Sequence, residues 1–132
     1  MLETLEYKAL SAAKDAVECA LKKGVKMDKL ENAATKVWGV LQEHGIYAAF
    51  LWLAAQGQSE HNLIAKTMWN ALHSAQLVSN RVNDARHAAR VLERNCEALL
   101  HDLGQVMLAR RILEQVLLYL RYSAKARGES GR

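Results

Sequence analysis

Five histidines, two cysteines and fourteen acidic residues are the groups with which this chain could do chemistry. Their spacing speaks against most kinds. His44, His61, His73, His87 and His101 include no pair three or four apart and no H-E-x-x-H, so no helix-borne zinc pair is present. Cys19 and Cys96 are too few and too far apart for a disulfide framework or a thiolate metal site, and read as small buried hydrophobes. His101, Asp102 and the hydroxyls of Ser74 and Ser79 have the residue types of a triad. Adjacent side chains on a helix point about 100° apart, however, so His101 and Asp102 would not form the orienting hydrogen bond. Seven glycines stand singly, without G-x-G-x-x-G or G-x-x-x-x-G-K-[ST], so a phosphate-cradling loop is missing. Glu93 and Glu97 form an i,i+4 carboxylate pair of the kind that serves acid–base or metal chemistry. With Arg90 and Arg94 alongside them, a surface salt-bridge ladder is the stronger reading. The expectation is a chain that is not an enzyme and has no cofactor, metal or small-molecule substrate.

Cations are the more informative set. Net charge is +4, and its distribution is uneven. Residues 1–66 carry eight lysines, eight acidic residues and no arginine, whereas residues 67–132 carry ten basic and six acidic residues, nine of the ten being Arg. Arginine presents a planar fork suited to phosphate oxygens, which makes the second half the place to look for a polyanion. Arg86, Arg90 and Arg94 recur every four residues, with Arg81 just before them; they read as phosphate contacts or as a charged face satisfied by its own glutamates. Arg110 and Arg111 are adjacent on an apolar helix and cannot both point inward, so they are candidates for a subunit interface or a phosphate. Arg121, Lys125 and Arg127 with Tyr122 make a basic, aromatic helix end able to contact phosphate and stack a base. Cations are also favourable at a helix C-terminus for electrostatic reasons alone.

The elements that position these groups are helices. Twenty Leu and twenty-one Ala stand against fifteen Val, Ile and Thr together, and there is no proline. Apolar spacing predicts six helices in one bundle domain over residues 1–126, with a disordered tail at 127–132. The first runs from about residue 3 to 23, closed by Gly24, and the second begins at an Asp28 N-cap. The third, residues 46–56 between Gly45 and Gly57, is apolar nearly all round and is expected to be the central helix. The fourth follows a Ser59 N-cap, the fifth follows Asp84, and Gly104 separates the fifth from the sixth. Trp38 and Trp52 fall at core spacing. Trp69 lies one residue off the stripe of Leu63, Met68 and Leu72, and is expected at the surface as an anchor for a protein partner. The longest apolar run has ten residues, about half a bilayer span, and the first residues lack a signal-peptide pattern, so a soluble cytoplasmic protein is expected.

Two stretches resemble a known family. The run Val37-Trp38-Gly39-Val40-Leu41-Gln42-Glu43-His44-Gly45-Ile46-Tyr47-Ala48-Ala49-Phe50-Leu51 is similar to the helix–Gly–buried-helix junction of the small helical subunit of type III-B CRISPR effector (Cmr) complexes. The run Glu114-Gln115-Val116-Leu117-Leu118-Tyr119-Leu120-Arg121-Tyr122-Ser123-Ala124-Lys125-Ala126 resembles that family's last helix, with Gln115-Val116 where the family often has Ala-Leu. A weaker likeness extends to Lys14-Asp15-Ala16-Val17, whereas residues 62–90 match nothing in it. The resemblance implies a non-catalytic subunit that stacks in several copies along a ribonucleoprotein used in antiviral defence. It implies contact with the guide RNA–target RNA duplex backbone, with copies of itself and with the other subunits, which would do the cleaving. The alternative is a helical protein–protein interaction module, or the small subunit of another CRISPR effector type, without direct RNA contact.

Overall fold

Apolar residues recurring at three and four, interrupted by Gly24, Gly45 and Gly57, become six helices in the computed structural model, which describes residues 5–78, 82–100 and 103–130. Side chains at 5, 6, 95–100 and 128–130 are outside that description. The helices are α1 (Leu5–Lys23), α2 (Met27–His44), α3 (Ile46–Gln56), α4 (Ser59–Ser74), α5 (Ala85–Leu100) and α6 (Leu103–Ser130). The all-helical expectation holds: no strand occurs among the described residues, and buried side chains from all six helices share one apolar core. Nor is any helix among them long and apolar enough to cross a membrane.

Helix ends follow local chemistry. The amide of Val25 donates to the Ala20 carbonyl (2.9 Å) and that of Gly24 to Leu21 (3.3 Å), closing α1 with Gly24 in the left-handed region. The same paired bonds close α4, Leu77 to Leu72 and Gln76 to His73, but here the left-handed position is held by Gln76 at φ 63°. Asp84 caps α5, its carboxylate accepting from the His87 amide at 2.8 Å. The other starts differ from expectation. Helix α2 begins at Met27 with Lys26 before it, leaving Asp28 in the first turn, where its charge suits the helix dipole. Ser59 is the first residue of α4 rather than its cap, and Gly104 lies inside the first turn of α6. Helix α6 runs on to Ser130, so residues 127–130, where composition predicts disorder, are helical. Once a long helix exists, each further residue adds one backbone bond without a new nucleus.

The larger correction concerns the centre. Helix α3 buries Ile46, Ala49, Phe50 and Leu53 but leaves Leu51 exposed. The hub is α4, which packs against all five other helices. Lys66, Asn70 and Ser74 stand exposed at steps of four, with half-buried Asn62 one turn earlier, so α4 turns a single narrow polar strip outward and buries its remaining faces. Trp69 is therefore no surface anchor: it is 1% exposed and meets Phe50 edge-to-face at 5.7 Å. Trp38, expected in the core, is 40% exposed. A single-stripe reading fails for a helix covered on several sides, because residues beside the stripe are buried by other neighbours.

Candidate nucleic-acid interface

Helix α5 presents the basic stripe. Ala85, Ala88, Ala89 and Leu92 are buried and fix its inner face against α3 and α4. Its start is pinned to α4 by the Ala85 amide donating to Asn62 Oδ1 at 3.2 Å. That packing turns Arg86, Arg90 and Arg94 outward, all three exposed on one face. Glu93 shares the surface, yet none of the three arginines pairs with it in the described structure. Arg81, His101, Asp102 and Ser79 lie outside the described residues, as do the side chains of Cys96 and Glu97.

Arg110 and Arg111 part company. The Arg110 guanidinium donates through Nη2 to the Gln42 carbonyl (2.9 Å) and Gln42 Oε1 (3.4 Å), and through Nε to Glu114 (3.2 Å). It thereby ties α6 to a last-turn carbonyl of α2 that no helical amide can reach. These donors are spent inside the chain, while Arg111 is exposed. Further along α6, the Arg121 guanidinium stands 5.9 Å from the ring centre of the exposed Tyr122, and Lys125 is exposed one turn beyond. Because α6 packs chiefly on α1 and α2, and α5 on α3 and α4, the two basic surfaces ride on different partners.

The described residues hold no group of three or more His, Cys, Asp or Glu placed to bind a metal. His61 is a core histidine, edge-to-face with Trp52 at 5.4 Å, and its Nδ1 has no hydrogen-bond partner among the described residues. Burial lowers its pKa and the Lys36 cation acts the same way, against the opposing pull of Glu60. The unfolded chain therefore takes up a proton that the folded chain refuses, and stability falls as pH drops below the ordinary imidazole value of about 6.5. His61→Gln should flatten that fall. Urea midpoints measured at neutral and mildly acidic pH check it, and an equal fall in both proteins would refute the assignment.

Sequence reasoning passed over the first half of the chain because its charges cancel in number. In three dimensions Lys8, Lys23 and Lys66 converge on one groove between α1 and α4. The signal lay in their helical register: Lys8 and Lys23 share a face of α1 with Ser11 and Asp15, which a net-charge count cannot register. Comparison of the chain with protein-family models, with curated proteins and with solved structures finds no match to any of them.

Proposed function

We propose that this chain is a non-catalytic, RNA-contacting small subunit of an RNA-guided type III-B CRISPR (Cmr) complex, working in the cytoplasm and stacking in copies along the guide–target duplex. The observation that carries the RNA contact is the α5 stripe of Arg86, Arg90 and Arg94, held outward by a buried inner face and free of ion pairs among the described residues. Arg111, Arg121 and Lys125 on α6 extend the supply of cations. Forks of this kind grip backbone oxygens without reading bases, which suits a complex whose sequence specificity comes from base pairing. The reading of that complex as type III-B rests on the resemblance at residues 37–51 and 114–126.

A second reading, a helical protein-interaction module, draws on α6, which leaves Leu103, Met107, Leu118 and Tyr122 exposed. A tagged pull-down from the native host separates the two. Short RNAs sharing a repeat-derived end, together with larger backbone subunits, are expected. A protein partner recovered without such RNAs would overturn the effector reading and favour the module.

A further inference from the structure

We infer that the groove between α1 and α4 is a second nucleic-acid site, one that takes a single unpaired strand. It stands apart from the α5 stripe and does not depend on it. Lys8 Nζ donates to the Ser74 carbonyl at 3.3 Å, which sets the start of α1 beside the end of α4. The two helices therefore run antiparallel, and Lys66 on α4 falls between Lys8 and Lys23 along the groove. From Lys8 to Lys23 is about 22 Å at 1.5 Å per residue. At a stacked rise of 3.4 Å that length holds roughly six nucleotides. The cavity volume is about 630 Å³.

The lining suits a phosphodiester strand. Lys8, Lys23 and Lys66 form no ion pair in the described structure, and Asp15 is the only acidic residue among the lining residues. Between the lysines stand Ser11, Asn62 and Asn70, whose hydroxyl and carboxamides donate to phosphate oxygens and also meet base edges. Tyr7, exposed at the Lys8 end, offers a ring on which a terminal base stacks. Helices in contact lie about 8–10 Å apart, too close for the cleft between them to admit a duplex. Asp15 opposes the field locally and accepts from an exocyclic amine or a ribose hydroxyl. The outward strip of the central helix, its one departure from burial, is thus a wall of this groove.

Cys19 lies in the same groove and gives a direct readout. The full-length chain is titrated with a short fluorescein-labelled oligouridylate, and alkylation of Cys19 by iodoacetamide is followed by peptide mass with and without the oligomer. Binding and slowed alkylation of Cys19 are expected. The combined variant K8Q/K23Q/K66Q should bind at least about tenfold more weakly at low salt, with the slope of log affinity against log salt reduced by about 2. Its helical circular dichroism should be unchanged, since all three side chains reach solvent. The variant R86Q/R90Q/R94Q should keep the protection of Cys19, which separates this groove from the α5 surface. Unchanged affinity in the lysine variant, or alkylation of Cys19 indifferent to oligouridylate, would overturn the proposal. Protection by polyglutamate equal to that by oligouridylate would also overturn it and assign the groove to an acidic peptide.

Discussion

Trp69→Ala is expected to cost about 3–5 kcal/mol of folding stability, a larger effect than any other single substitution proposed for this chain. The indole is 1% exposed, stands edge-to-face on Phe50 and belongs to the helix that every other helix touches. Removing it opens a hole at the hub, where collapse of one neighbour pulls on the other four. The edge-to-face contact adds about 0.5–1.5 kcal/mol beyond area burial. Trp38→Ala, on a side chain 40% exposed, should cost only about 1–2 kcal/mol. Urea unfolding with unchanged m-values is the measurement. Equal losses for the two tryptophans would contradict the exchange of roles between them.

The second large effect concerns binding. In the assembled complex, R86Q/R90Q/R94Q should weaken target RNA binding by about a hundredfold near physiological salt if all three forks rest on duplex phosphates, since each cation removed from a phosphate lowers the salt slope by about 0.9. Folding stability should stay within about 0.5 kcal/mol of the parent, because the three side chains are exposed and hold no ion pair among the described residues. Filter binding across a salt series reads both the affinity and the slope. A slope unmoved by the substitutions would remove α5 from the RNA surface, whatever happened to the affinity. Arg110→Gln should leave the slope alone, since that guanidinium is spent on Gln42 and Glu114.

Where a helix has one buried face and glycine at its ends, the sequence was enough. The bounds of α3 follow from Gly45 and Gly57, and the inner face of α1 follows from Ala9, Ala13, Ala16 and Ala20. Composition alone said all-helical. Two kinds of information were not there to read. Which helix occupies the centre depends on how many neighbours cover it, and the uniformly apolar α3 lost that place to α4, whose polar residues are gathered into one strip. The groove depends on lysines as many as fifty-eight positions apart meeting across two helices, while a count over residues 1–66 cancels them against acids elsewhere. The α5 stripe was visible as spacing, but its freedom from Glu93 is a matter of side-chain placement.

The joint between α2 and α3 is a single residue. Gly45 sits at φ 94° and ψ −173°, a backbone region essentially closed to side chains, and its amide and carbonyl bond to Leu41 and Ala49 on either side. Helix α6 rides on α2, and α5 rides on α3. Two dihedral angles therefore gauge the bearing of one arginine surface against the other. A lineage or an engineer wishing to lengthen this protein has no slack to use there. A bulkier residue in place of Gly45 would leave both surfaces folded but misaligned, an instrument intact and out of calibration.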